Sequence, residues 1–212
     1  MSIKKEKFIK ELKNLFPDAR WELNYETPFQ LLCAVMWSAR TTDIQVNKTT
    51  AKFFDTFREP QDAIALWEEW IRDKIKTIWL YKSKAKNTYK TAKTLIKEHN
   101  SKVPDKLEEL IKLDWVWIKT AKVVLLELYW QPYLAVDTHV HRTLNRLEFV
   151  DTKTPEQTDK KIDEVFSKKD IVNLHHLLIF FGRYMCKSQN PDCEKCPFIK
   201  NCKLQKEKHL NK

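Results

Sequence analysis

The chain holds 212 residues, 42% of them hydrophobic and 32% charged, with a formal net charge of +10. That length supports one or two domains with a real core, while the ~18-residue apolar run of a membrane-spanning helix and the apolar stretch and cleavage site of an export signal are both missing, so the expected location is the cytoplasm. The basic excess fits a polyanionic partner, because lysine and arginine that neutralise phosphates release counterions; it fits equally well a genome rich in A and T, whose codons favour lysine, asparagine and isoleucine. In chain order, the apolar spacing reads as helix almost throughout, with no convincing strand alternation. The opening MSIKKEKFIKELKNLF has the pattern of an amphipathic helix. Thr27-Pro28 reads as an N-cap followed by proline at the first helical position, opening a helix over about 28–39. Asp43 is the expected cap of a helix over about 43–54. Further helices are expected over about 61–70, 72–77, 83–98, 104–113, 118–129, 136–147, 155–167 and 170–187. No Ser/Gly-rich linker divides the chain, so any domain boundary must be made by packing.

Gly182 is the only glycine, where an average usage of about 7% predicts roughly 15. Turns, helix C-caps and close backbone approaches all call for glycine. The chain instead carries eight tryptophans, several in places that suit glycine: Trp115 and Trp117 at a helix–helix turn, Trp79 and Trp130 where a helix stops. Some bacterial lineages read UGA as glycine, and a translation that takes UGA as tryptophan writes Trp at every such codon. The expectation is that many of these tryptophans are glycine in the cell, the alternative being a protein that is truly poor in glycine and rich in tryptophan. A UGG codon at Trp115 and Trp117 excludes the substitution.

Cys186, Cys193, Cys196 and Cys202 follow the spacing C-x6-C-x2-C-x5-C, and Cys33 lies alone in an apolar run. Buried free cysteines scatter, whereas soft-metal ligands cluster. The four are therefore expected to bind metal rather than to form disulfides. Both zinc and an iron–sulfur cluster stay open; zinc modules more often pair two C-x2-C knuckles, and here there is one. Upstream, two helices meet at a tight turn over residues 113–119. With glycine restored the segment reads L-D-G-V-G-I-K-T-A, whose backbone N–H groups could approach a phosphate at the N-terminus of the next helix; an ordinary helical hairpin is the alternative. Lys119 falls in the first turn of that next helix. A helix N-terminus modestly disfavours positive charge, and a neutral amine is what a Schiff-base nucleophile needs, although most lysines are solvated surface groups. Asp137 ends the apolar run Leu134-Ala135-Val136, either as a helix N-cap or as an anion that supports positive charge on a sugar.

Taken together, these motifs give the chain a resemblance to endonuclease III over nearly its whole length. The matching segments are Glu22-Leu23-Asn24 with Thr27-Pro28-Phe29; Ser38 to Asp43 with Val46-Asn47-Lys48; Thr77 to Tyr81 with Ser83-Lys84-Ala85; the hairpin with Lys119-Thr120-Ala121; Ala135 to His139 with Arg142 and Asn145-Arg146; Gly182-Arg183-Tyr184; and the cysteine spacing. The family has glycine where Trp79, Trp115, Trp117 and Trp130 stand, and usually leucine at Trp37; Trp21, Trp67 and Trp70 have no assignment.

The resemblance implies an all-α fold of two helical domains flanking a DNA-binding cleft: a six-helix barrel with a helix–hairpin–helix over 22–132, and an iron–sulfur cluster domain made of 1–21 with 133–212. It implies a monomeric, nucleoid-associated base-excision DNA glycosylase with AP lyase activity, removing oxidised pyrimidines from duplex DNA. Lys119 and Asp137 match the catalytic lysine and aspartate, and Cys186, Cys193, Cys196 and Cys202 the ligands of a [4Fe–4S] cluster. Leu80 matches a wedge that enters the base stack. Arg40 stands where many relatives have a glutamine that fills the gap left by the flipped base. Trp115, Val116, Trp117 and Thr120 belong to the DNA-contacting hairpin, and Lys187 lies in the cysteine loop where it can meet phosphate. Asp114 replaces the usual proline. Two other readings stand beside this one. An adenine-mismatch glycosylase shares the fold and cluster but usually lacks the lysine and has an extra C-terminal domain, whereas this chain ends ten residues after Cys202. A non-catalytic iron–sulfur DNA-binding module would show a cluster and DNA affinity without base release.

Overall fold

The computed structural model describes residues 3–205, and among them there is no strand. The helices are α1 (Lys5–Leu15), α2 (Pro28–Ser38), α3 (Asp43–Thr50), α4 (Pro60–Lys74), α5 (Tyr81–Glu98), α6 (Leu107–Leu110), α7 (Ile118–Tyr129), α8 (Thr138–Arg146), α9 (Pro155–Val165) and α10 (Lys168–Phe180). A π-helical turn, Phe181–Met185, continues α10, and short 3-10 turns lie at Phe54–Thr56 and Ile199–Asn201. Among the described residues no helix is long and apolar enough to cross a membrane. The chain divides into two compact units: Glu22–Trp130, and the described residues of Met1–Trp21 with Gln131–Lys212.

In the first unit α2 is apolar nearly all round, and every residue from Phe29 to Trp37 is buried, as befits a central helix. Its start obeys the local chemistry: the Thr27 hydroxyl accepts the Gln30 N–H at 3.2 Å, and Gln30 Oε1 accepts the Thr27 N–H at 3.2 Å, a reciprocal capping box with proline next to it. At α3 the cap is Thr42, not Asp43; the Thr42 hydroxyl accepts the Gln45 N–H at 3.2 Å, while Asp43 sits in the first turn, where the helix dipole favours it. That helix also stops at Thr50, because Phe53, Phe54 and Phe57 turn inward onto Trp37. The two helices expected over 61–77 form one run, Pro60–Lys74, broken at Trp67 (φ 64°, ψ 162°) rather than after Trp70. The helix expected over 104–113 shrinks to the single turn of α6, followed by further turns to the hairpin.

In the second unit the N-terminal helix packs with the C-terminal part of the chain. Phe8 is fully buried and its ring meets Phe149 at 4.7 Å and Phe198 at 5.0 Å between centroids. With Leu12, Leu144, Leu178 and Phe181 it forms one apolar core that also takes in Cys186 and Cys202. Burying each such aromatic or leucine contributes about 1.5–3 kcal/mol, so α1 is anchored by its apolar stripe and the cysteine segment is built onto the same core. The single glycine has a steric reason here. A Cβ on Gly182 would lie 2.7 Å from His139 Cβ, so no other residue lets the π-turn approach α8 this closely.

Candidate active site and candidate metal centre

Three groups of sequence-predicted residues fall in the first unit. The turn before α7 is made by Trp115 in the left-handed region (φ 65°), with the Val116 N–H donating to Leu113 O at 3.2 Å. Val116 is buried and plugs the turn onto the core. Trp117 is the N-cap of α7 at an ordinary extended φ of −85° with no side-chain cap, and its indole is 69% exposed. Lys119 is exposed in the first turn of α7, with Thr120 half-buried beside it. The second group is Arg40, exposed just after α2 with φ 58°. The third is Leu80, the left-handed N-cap of α5 (φ 58°), 44% exposed. Arg40 and the Leu80 turn come together: the Arg40 guanidinium lies 5.8 Å from the Trp79 ring centroid, within cation–π range.

The remaining predicted residues fall in the second unit. Asp137 is the N-cap of α8, where Oδ1 accepts the N–H groups of His139 at 2.8 Å and Val140 at 2.9 Å. The structural reading of this carboxylate is therefore real, and it aims the group by backbone amides without excluding chemistry. The four C-terminal cysteines line one cavity of about 350 Å³ of atom-free space, partly open to solvent, together with Arg146, Leu147 and Phe181. Burial, then the neighbouring sulfurs, pushes the Cys196 thiol up to about 11, and burial raises Cys202 as well. Crowded, desolvated sulfurs of this kind become thiolates when a cation neutralises them. Among the described residues no three His, Cys, Asp or Glu side chains are grouped to hold a single ion. The donor set, four thiols around one cavity, fits a multi-iron group whose ligands bind separate irons.

Two arginines fix the start of this loop, which the sequence reading did not single out for that role. Arg142 donates from Nε to Cys186 O at 2.9 Å and from Nη2 to Gly182 O at 2.7 Å. Arg146 Nη1 donates to Cys186 Sγ at 3.4 Å and to Lys187 O at 2.7 Å. Lys187 itself is exposed. By contrast Cys33 is fully buried in α2, its thiol held well above the usual range by burial alone, and it acts as a small apolar residue.

The tryptophans separate by backbone. Of nine non-glycine residues with positive φ among those described, three are tryptophan: Trp67, Trp115 and Trp130. With eight tryptophans in 212 residues, chance places fewer than about one there, and a bulky residue in that region is an outlier. Trp130 ends α7 at φ 54°, the usual glycine position of a helix C-cap. Trp67 adopts a combination that is essentially glycine-only. Trp79 and Trp117 carry no such backbone demand. Trp37 is fully buried and its indole N–H donates to Thr88 Oγ1 at 3.0 Å.

Comparison with known proteins agrees in sequence and in fold. Residues 33–168 match the family described as HhH-GPD superfamily base excision DNA repair protein. Endonuclease III of Rickettsia felis is 42% identical over 186 residues, 88% of this chain and 87% of its own. Endonuclease III of Escherichia coli K12 is 40% identical over 193 residues, 91% of this chain and 92% of its own. A solved endonuclease III, trapped as a covalent intermediate with DNA, superposes with a TM-score of 0.90 at 39% identity, covering 98% of this chain and 99% of that one. A thermostable thymine-DNA glycosylase shares the fold at 20% identity, with a TM-score of 0.84 over 96% of this chain and 97% of its own.

Proposed function

The chain belongs to the endonuclease III family within the HhH-GPD superfamily of base excision DNA repair proteins, and from that premise we propose how its residues divide the work. It is a base-excision DNA glycosylase with AP lyase activity, and its partner is DNA. The substrate in this reading is a duplex with an oxidised pyrimidine. The damaged nucleotide leaves the stack because its reacting sugar carbon is inaccessible there, at a cost of a few kcal/mol that weakened pairing lowers. Leu80 enters the stack and Arg40 fills the gap.

The Lys119 amine attacks C1′ of the sugar, and the base departs with the electrons of its bond to C1′. Asp137 supports the positive charge that develops on the sugar and the activation of the amine. Ring opening gives a Schiff base between Lys119 and C1′; loss of a C2′ proton then expels the 3′ phosphate by β-elimination and nicks the strand. The backbone of residues 115–117, with Val116 and Thr120, meets phosphate at the N-terminus of α7, and Lys187 meets a second phosphate from the cysteine loop. Cys186, Cys193, Cys196 and Cys202 would hold a [4Fe–4S] cluster, whose iron–thiolate bonds would tie residues 186–202 together. Trp67, Trp115 and Trp130 are glycine in the cell, with Trp79 and Trp117 assigned likewise from the resemblance.

What carries the reading is Lys119, in the first turn of α7 directly after the left-handed turn at Trp115, in a chain 39% identical to a protein trapped covalently on DNA. The test is borohydride trapping on a thymine-glycol duplex with the native protein and Lys119→Ala. A trapped adduct lost in the variant supports the reading, and trapping that persists unchanged refutes it. Peptide mass spectrometry of the protein from its own host decides residues 67, 115 and 130 directly.

A further inference from the structure

Among the described residues one buried cation takes no part in the proposed reaction. Lys84, on α5, is fully buried, and its ammonium donates to Trp37 O at 2.6 Å, Ala39 O at 2.7 Å and Thr41 Oγ1 at 3.4 Å. These acceptors are two carbonyls and a hydroxyl, not a carboxylate. They bracket Arg40 on both sides in sequence. The last carbonyls of a helix have no intrahelical partner, and a lysine can satisfy them. Burying a charge for that purpose is costly; burial lowers this amine to about 8.

The same helix face carries two more buried polar groups. Thr88 accepts the Trp37 indole N–H at 3.0 Å, and Thr91 Oγ1 donates to Asp114 O at 2.9 Å, just before the hairpin turn. Positions 84, 88 and 91 share one stripe of a 3.6-residue helix. The backbone N–H of Lys84 also donates to Leu80 O at 3.0 Å. Through α5, then, the Leu80 turn, the Arg40 loop and the approach to the hairpin are held in one register.

We propose that Lys84 is a positioning residue for Arg40: its ammonium clamps the Trp37 and Ala39 carbonyls before it and the Thr41 hydroxyl after it, so that Arg40 keeps its left-handed backbone and presents its guanidinium beside the Leu80 turn. The proposal rests on the assignment of Arg40 to the gap opposite the flipped base. A residue acting this way matters on duplex DNA, where there is a gap to fill, and little on single-stranded abasic DNA, where there is none.

The experiment measures kcat/KM on a thymine-glycol duplex and borohydride trapping on a single-stranded abasic oligonucleotide, using the full chain, Lys84→Met, Arg40→Ala and the double variant. Lys84→Met is expected to lower duplex kcat/KM by about 10- to 100-fold, as a displaced positioning group does, while changing single-strand trapping less than about twofold. In the Arg40→Ala background Lys84→Met adds less than about twofold, because coupled residues are not additive. An equal loss on both substrates, a full loss in the Arg40→Ala background, or no loss on the duplex overturns the proposal. If Lys84→Met does not fold, the cycle is run with Lys84→Gln and with Thr41→Val, and additivity with Arg40→Ala is the refuting result. A native chain inert toward both substrates overturns the reaction assigned above, and the role of Arg40 with it.

Discussion

Residues 186–202 and residues 113–118 are both irregular stretches that must keep one shape, and they are held by different means. The first is held by side chains: four cysteines around one cavity, with Arg142 and Arg146 bonded to the backbone and sulfur at Cys186. The second is held by backbone geometry: a left-handed residue at 115, the Val116 N–H on Leu113 O, and Thr91 on Asp114 O. A side-chain device announces itself in a sequence by residue type and spacing. A backbone device announces itself only through the residue that tolerates the conformation, and a tryptophan at 115 does not signal it.

The contrast predicts unequal responses to substitution. The largest belongs to the hairpin side, where Lys119→Ala removes the proposed nucleophile and is expected to abolish borohydride trapping on damaged duplex DNA while thermal unfolding stays unchanged. Next is Asp137→Asn, which separates the N-cap made by this carboxylate from the charge-stabilising role proposed for it. Asparagine caps helices about as well as aspartate, so thermal unfolding should shift by only a few tenths of a kcal/mol; base release, measured in single-turnover assays, should slow about 10²- to 10⁴-fold. Asp137→Ala should add a stability loss of about 1 kcal/mol.

The tryptophans offer a paired test of opposite sign. Trp37→Gly empties a buried, hydrogen-bonded site and should cost at least ~3 kcal/mol in chemical denaturation. Trp115→Gly relieves a left-handed bulky residue and should stabilise by about 1 kcal/mol, since that conformation costs most residues roughly 1–2 kcal/mol. A Trp115→Gly variant that is less stable and binds DNA no better would break the comparison, because the turn would then depend on its indole. The smallest effect is expected at Lys187, an exposed cation. Lys187→Ala should reduce the slope of log affinity against log salt by about one, with base release from bound DNA unchanged.

How much could be read beforehand follows the same division. The helices with strong local signals, such as α2 with its Thr27–Gln30 box, came close to their expected bounds. Those that missed did so where tertiary contacts override local pattern: α3 ended early because three phenylalanines turn onto Trp37, and α4 broke at Trp67 because that residue takes a backbone shape tryptophan does not signal. The cap of α3 fell to Thr42 because a hydroxyl one residue earlier reaches the free N–H group. Lys84 stood in plain view among the residues shared with the family, yet its burial was invisible in a chain rich in lysine.

The amino-acid sequence by itself determined the all-helical character, the clustered thiols and the lysine after the hairpin, because period, spacing and residue type are local properties. Only the tertiary structure decided that Lys84 is buried against the Arg40 loop, that Arg146 touches a cysteine sulfur and that three tryptophans sit at positive φ. Each of those depends on which distant segment packs alongside, and burial, hydrogen-bond partners and backbone strain exist only once that packing is made.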